Sequence, residues 1–280
     1  MKRKRHIWIP DTQVAPGTPT DHLLWAARHI ADLSEQPDHI QLGGDWYDMP
    51  SLSSWKKRGS LESEGDRVRA DLDSGYAALE VFFGELDRLG VPLPSAFDKM
   101  PMFAPKVGDG TVSVWICEGN HEHRWYRTIE EDPRLKDLID DDDVFRWKDF
   151  GIWAQPMGAP MHLDGITYCH FFDLNAEGDT TGRRQGQTNA KLQAQRVKGS
   201  SVAGHKQGYR AHCRTHPYAQ PWEQETWAII AGSFYLHREG YRGPTDGYEK
   251  RGILQLDDIN GWGKLTPKFI PIDYLQERYG

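Results

Sequence analysis

Residues 38–48 read Asp-His-Ile-Gln-Leu-Gly-Gly-Asp-Trp-Tyr-Asp, a short apolar-centred run that stops at two glycines and a carboxylate. Bounded by Pro37 on one side and Gly43-Gly44 on the other, Asp38 to Leu42 reads as a strand, too short for a helix. Upstream, His6 to Pro10 reads as another strand. Between the two, Thr18-Pro19-Thr20-Asp21 supplies a Thr N-cap, a Pro at the first helical position and an acid at the third. Leu23, Leu24, Ala27, Ile30 and Ala31 then fall on one helical face. A strand, a helix and a second strand in this order predict an α/β fold with parallel neighbours in the sheet.

Downstream, Val68, Leu72, Tyr76, Leu79, Phe82, Phe83, Leu86 and Leu89 keep a three-to-four-residue period. They predict a helix over 61–89, ended by Gly90 and Pro92. Residues 92–110 are rich in Pro and Gly and read as a loop. Val112 to Cys117 is a strand that stops at Gly119-Asn120-His121, Ile166 to His170 another, and Ser200 to Ala203 a third, ending at Gly204-His205. Residues 173–190 read as a polar, glycine-rich loop near the site, and 226–234, 252–256 and 264–272 as further strands of a second sheet. The organisation expected is one domain over 1–280, with a helical insertion at about 50–110 and a loop insertion at about 173–198.

Composition narrows the function classes. In 280 residues, 38% are hydrophobic and 27% charged, as in a globular protein. The longest apolar runs, HIWIP and WAIIAGSF, are far short of the roughly 18–20 residues of a membrane helix, and HIWIP is too short for a signal sequence. Cys117, Cys169 and Cys213 form no close-spaced pair, which suits a reducing cytoplasm. A net charge of −7 argues mildly against a broad grip on duplex nucleic acid and leaves room for a narrow catalytic cleft. The four aspartates at 140–143 read as a solvated acidic turn.

Five strand candidates end in a residue able to bind a metal: Asp11, Asp45, Asn120, His170 and His205. In open α/β sheets the carboxyl ends of strands converge on one crevice, and Gly44, Gly119 and Gly204 flank three of these positions. Carboxylate, amide oxygen and imidazole together suit Mn, Fe, Zn or Ni better than an all-oxygen calcium cage. Two ions bridged by a carboxylate such as Asp45 can clamp a phosphoryl group and activate a water, which points to phosphate-ester hydrolysis.

The segments GDWYD (44–48), GNHE (119–122), the strand-terminal His170 and GH (204–205), following the Asp of DTQ (11–13), resemble the calcineurin-like metallophosphoesterase superfamily. The likeness runs from Asp11 to Gln207 and is loosely closest to the bacteriophage and nuclease-like branches. It implies an αββα sandwich of two mixed β-sheets flanked by helices, with two divalent metals (Mn foremost; Mg, Fe, Zn or Ni as alternatives) at one edge. By this resemblance Asp11 ligates the first metal, Asp45 bridges, and Asn120, His170 and His205 complete the second. His121 stands by the leaving group as acid or charge stabiliser, oriented by Asp48, and a metal-activated water is the nucleophile. Gln13 and Gln207 occupy first-site positions where the family has His; a Gln oxygen is the weaker ligand, so the first site is expected to prefer a harder ion such as Mn or Mg, to bind it weakly, or to be filled only with substrate. His212 or His216 offers a substitute. Met49 and Glu118 stand where protein phosphatases of the superfamily carry Arg, which lowers that reading, whereas Arg124 can pair with phosphate.

The expected function is metal-dependent hydrolysis of phosphoesters, with a phosphodiesterase or nuclease acting on nucleic acid or a nucleotide ahead of a phosphomonoesterase. The rival is a non-catalytic metal-binding module that kept the fold. Trp46, Trp55 and Trp125 are candidate stacking platforms, with core packing the commoner use of such residues. Lys56-Lys57-Arg58 and Arg183-Arg184 are candidate phosphate contacts.

Overall fold

The computed structural model describes residues 3–55, 61–94, 110–138, 144–174, 189–218, 220, 225–238 and 249–280. The elements are β1 (Lys4–Ile9), α1 (Asp21–Ala31), β2 (His39–Leu42), α2 (Val68–Arg88), β3 (Ser113–Cys117), α3 (His123–Glu131), β4 (Ile152–Gln155), β5 (Met161–Leu163), β6 (Ile166–Cys169), α4 (Ala190–Arg196), β7 (Ser200–Ala203), β8 (Tyr209–Thr215), β9 (Glu225–Ala231), β10 (Gly252–Ile259), β11 (Thr266–Pro271) and α5 (Ile272–Tyr279). They build two mixed sheets, ordered β11-β10-β1-β2-β3-β4 and β5-β6-β7-β9-β8. The strands β1 to β4 are parallel, as are β6, β7 and β9, with antiparallel strands at the edges.

Strand alternation sorts the side chains between layers. Along β1, Ile7 and Ile9 face a core shared with Leu23, Ala27 and Ile30 of α1 and with Leu79, Phe82 and Leu86 of α2. Trp8 points the other way, with Leu254 and Leu256, against Tyr168, Val202 and Ile229 of the second sheet. Its ring stacks on Tyr168 at 5.7 Å, and its Nε1 donates to the Ala231 carbonyl at 3.1 Å. On the far face of the second sheet Ala190 of α4 covers Ala203 and Ile230. Helices therefore flank two face-to-face sheets, and each buried side chain of the Phe82 class contributes on the order of 2 kcal/mol. No helix among the described residues is long and apolar enough to cross a membrane.

The structure departs from the sequence reading in several places. α1 begins at Asp21, and the Thr18 hydroxyl bonds to the Ala15 backbone instead of capping it. α2 begins only at Val68, because Gly65, at φ +83, breaks the chain after a separate short turn in which Leu61 is exposed. β10 and β11 extend the first sheet, beside β1, rather than the second. β4, β5 and β8 were not anticipated, and part of the expected 173–198 loop is the helix α4. The aspartate run 140–143, most of the 92–110 loop, Lys56-Lys57-Arg58 and Arg183-Arg184 lie outside the described residues.

Candidate metal centre

The parallel arrangement of β1, β2 and β3, and of β6 and β7, carries the five expected residues to the same edge of the two sheets. Asp11 follows β1, Asp45 follows β2, Asn120 follows β3, His170 follows β6 and His205 follows β7. Two glycines make the convergence possible through close approach rather than through a turn. A Cβ on Gly119 would lie 2.1 Å from Asp45 Oδ1, and one on Gly204 would lie 2.7 Å from Asp11 Oδ1. Gly44 is needed on both counts: its backbone is left-handed, φ +87, and a Cβ there would lie 2.2 Å from the Cys117 carbonyl oxygen and 2.7 Å from His170 Nδ1.

His170, fully buried, fixes the geometry of the second position. Its Nδ1 lies 2.7 Å from the Gly43 carbonyl, which can only accept, so Nδ1 carries a proton. Its Nε2 faces Asn120 Oδ1 at 3.2 Å and Asp45 Oδ2 at 3.3 Å. The nearest donor atoms of Asp45, His170 and His205 lie within 4.8 Å of one another. Burial works to lower the His170 pKa, but the Asp45 and Asp11 carboxylates override it and push the value up to about 10. The pocket thus demands positive charge at this point, supplied by a proton or by a cation.

The other groups respond to the same field. Burial opposes ionisation of Asp45, yet His121, His170 and His205 hold its carboxyl well below the usual range. Burial raises Asp11 to about 7 and lowers His205 to about 4, the latter helped by the neighbouring His170. Asp11 Oδ1 accepts the His205 backbone N–H at 3.1 Å, whereas Asp11 Oδ2 and Gln13 Oε1 are buried without any partner. Buried acceptors without partners are costly unless something positive lies near them, and the Gln13 N–H donates to the Asp45 carbonyl at 2.8 Å, so Asp11, Gln13 and Asp45 are chemically suited to hold a cation at the first position. Gln207 does not share this feature: its amide oxygen takes the Tyr235 hydroxyl at 3.0 Å. His216 meets Thr226 near the far end of β8, and His212 stands opposite Ala228, so neither joins the cluster.

His121 borders the cluster with Nε2 at 3.7 Å from Asp45 Oδ2, and its Nδ1 is paired with Asp48 Oδ1 at 2.8 Å. Burial opposes protonation of His121, but Asp45 and Asp48 raise its pKa. Arg124 donates to the carbonyls of Asp48 at 2.6 Å and Met49 at 3.3 Å, and its Nη2 lies 2.9 Å from His121 Nε2. A guanidinium has no lone pair, so in this arrangement Nε2 accepts and the imidazole proton sits on Nδ1, which lies 2.8 Å from Asp48 Oδ1 without the alignment of a hydrogen bond.

One residue that sequence reasoning assigned no role anchors the whole arrangement. The buried Glu122 carboxylate accepts four backbone N–H groups: Asp45 at 2.9 Å, Trp46 at 2.7 Å, Tyr47 at 3.1 Å and Gly119 at 2.9 Å. The signal available was an acid at the start of a helix, which ordinarily reads as a cap for that helix. Glu118 accepts from Trp147 and Tyr126, a structural role. Trp46 is buried against Phe82 with its Nε1 on the Gly75 carbonyl, and Trp125 is buried too, which corrects their candidacy as stacking platforms; Trp55 is 92% exposed.

A second His–Asp group lies at the opposite end of the sheets. His6 and His39, register partners on β1 and β2, both reach Asp164 Oδ2 at 3.0 Å. Their remaining nitrogens meet Tyr168 and Ser113, and Lys4 neutralises Asp164 from 2.6 Å. Every ring nitrogen is partnered, so this group is a closed network joining the sheets. No protein-family model and no curated protein matches the chain.

Proposed function

We propose that the chain is a metal-dependent phosphoesterase of the calcineurin-like type, acting on a phosphodiester of a nucleic acid or nucleotide. The observation that carries this reading is the pair of buried orphan acceptors, Asp11 Oδ2 and Gln13 Oε1, beside a carboxylate–imidazole set that is short of positive charge. Asp45, Asn120, His170 and His205 would hold one ion, and Asp11, Gln13 and Asp45 the other. Divalent ions bound there supply charge neutralisation for the phosphoryl oxygens and acidify a water.

The chain's own groups do the rest. Asp45 would be the ligand shared by both positions. His121, held beside Asp48, presents Nε2 toward the cluster; once Arg124 leaves that nitrogen it takes up a proton from solvent, which Asp45 and Asp48 favour, and the imidazolium would pass that proton to the departing oxygen. In the resting arrangement Arg124 occupies that nitrogen; a phosphoryl oxygen competes for the guanidinium, withdraws it from His121 and frees Nε2. Asp48 and His121 argue for catalysis over a purely binding role, since a scaffold has no use for an oriented imidazole at the edge of a cation site.

The test is hydrolysis of bis-p-nitrophenyl phosphate by the purified protein with Mn. Turnover that disappears in both Asp45→Asn and His121→Ala, with circular dichroism unchanged, is the expected result. No turnover of any phosphoester by wild-type protein shown to bind the metal would reject the reading.

A further inference from the structure

The net charge of −7 conceals a strong asymmetry. Residues 189–218 contain no Asp or Glu, yet hold Lys191, Arg196, Lys198, Lys206, Arg210 and Arg214, so that the rest of the chain carries −13. This segment is α4, β7, the loop bearing His205, and β8. Lys191, Arg196, Lys198, Arg210 and Arg214 are all exposed, and none of these five forms an ion pair among the described residues.

The fold places Arg210 and Arg214 on one side, together with α4, which carries Lys191 and Arg196. β8 is the edge strand of the second sheet, and alternation puts Arg210, His212 and Arg214 on one of its faces. Arg214 reaches the Ala194 carbonyl at 3.4 Å, so that face is the one α4 covers. At the other end Arg210 donates to the Gln207 carbonyl at 2.8 Å, in the loop that carries His205. Tyr209 lies opposite Ala231 at the metal-centre end of β9, and Thr215 opposite Glu225 at the far end, so the basic row runs outward from the candidate centre. Among the described residues, the acidic groups placed against it are Glu225 at that far end and Glu249 beside Gly208. From Arg210 to Arg214 the row covers about 13 Å at roughly 3.3 Å per residue, comparable with about four nucleotides at the 3.4 Å rise of one duplex strand.

We propose that the α4–β8 face is a docking surface for a nucleic-acid backbone and leads the strand to the metal centre. Only the second half of this statement rests on the phosphoesterase reading. Exposed Lys and Arg without ion-pair partners among the described residues match a polyanion, which the acidic remainder of the surface would repel and so direct to this face. Binding is sequence-independent and salt-dependent, because each neutralised phosphate releases a counterion.

The test is fluorescence anisotropy of a labelled single-stranded oligonucleotide, titrated between about 50 and 200 mM salt. Wild-type protein should bind with an affinity that falls steeply with salt. The Lys191→Gln/Arg210→Gln/Arg214→Gln protein should bind at least tenfold more weakly, with a log–log salt slope shallower by about 2, the contribution of three single-strand contacts. Turnover of bis-p-nitrophenyl phosphate should be unchanged. Arg196→Gln/Lys198→Gln, which touches no hydrogen bond described above, is the second variant should the first not fold. Unaltered oligonucleotide affinity in the folded variants, or binding of phosphatidylserine vesicles through these side chains in place of the oligonucleotide, would overturn the proposal. Salt-dependent binding with no turnover of either substrate sinks the enzyme reading alone and leaves the surface standing.

Discussion

Glu122 holds Asp45 by its backbone: Glu122 Oε2 accepts the Asp45 N–H at 2.9 Å, while Asp45 Oδ1 accepts the His121 N–H, also at 2.9 Å. Asp45 has φ +49, a conformation an L-residue keeps only when its surroundings impose it. The Glu122 carboxylate also takes the N–H groups of Trp46, Tyr47 and Gly119, tying the loop after β2 to the loop after β3. A glutamine has one acceptor oxygen and would turn an NH2 toward two of these four donors. Glu122→Gln should therefore cost about 2–4 kcal/mol in urea unfolding. It should also weaken Mn binding roughly 10–100-fold, as loss of a group that supports ligands does. Wild-type values for both would show that the loops are held by other means.

His121 owes its orientation to Asp48, 2.8 Å from Nδ1. Asp48 lies beyond the ligand set, so Asp48→Asn should leave Mn affinity within about twofold while kcat falls about 10–100-fold, with His121→Ala falling further, to about 10²–10⁴. A parallel loss of metal binding would mean that Asp48 supports the cation site itself.

Bound ions should also stabilise the fold. At a free Mn concentration near 100 times Kd the gain is about 2.7 kcal/mol, several degrees in Tm for a chain of this size, and EDTA should remove it. Asp45→Asn should show little response to either. Gln13 sits at φ +46, a conformation that His tolerates better than most residues, so Gln13→His should place an imidazole at the first position. Tighter Mn binding by calorimetry is expected; equal affinity would show that Gln13 does not face the ion.

The half of the molecule that reads clearly from sequence is the half in which each strand ends in a ligand. β1, β2, β3, β6 and β7 are short apolar runs stopped by a glycine or by a ligand residue, and stop signals are local. Sheet membership is not local: β10 pairs with β1 from some 250 residues away and β11 pairs with β10, and nothing in their own composition tells one sheet edge from another. β4, β5 and β8 lack the clean apolar run, because edge strands leave side chains in water; β8 exposes Arg210, Ala211, Cys213, Arg214 and Thr215. Likewise Asp45 and His170 declare themselves by chemistry, whereas Glu122 acts on the backbone of another loop and Gln207 is turned to Tyr235, relations that exist only after folding.

The network at the opposite end of the sheets predicts how the protein yields to acid. His6 is fully buried, and burial lowers its pKa to about 4 despite the opposing pull of Asp164. Asp164 is itself held well below the usual carboxylate range: burial opposes this, but His39, His6 and Lys4 override it. For His6 the unfolded chain binds a proton below about 6.5 while the folded chain does not. Its contribution is therefore present above that pH and lost as pH falls toward 4, at about 1.4 kcal/mol per unit. His6→Gln removes this titration while keeping a donor for Asp164. Urea unfolding at pH 7 and pH 5 should then find the substitution about 2 kcal/mol less costly at the lower pH. The same comparison in Asp11→Asn protein excludes the metal-centre carboxylate, whose raised pKa works in the opposite direction over that range. Equal costs at both pH values would mean that His6 is protonated in the folded protein, with Asp164 holding an imidazolium between the sheets.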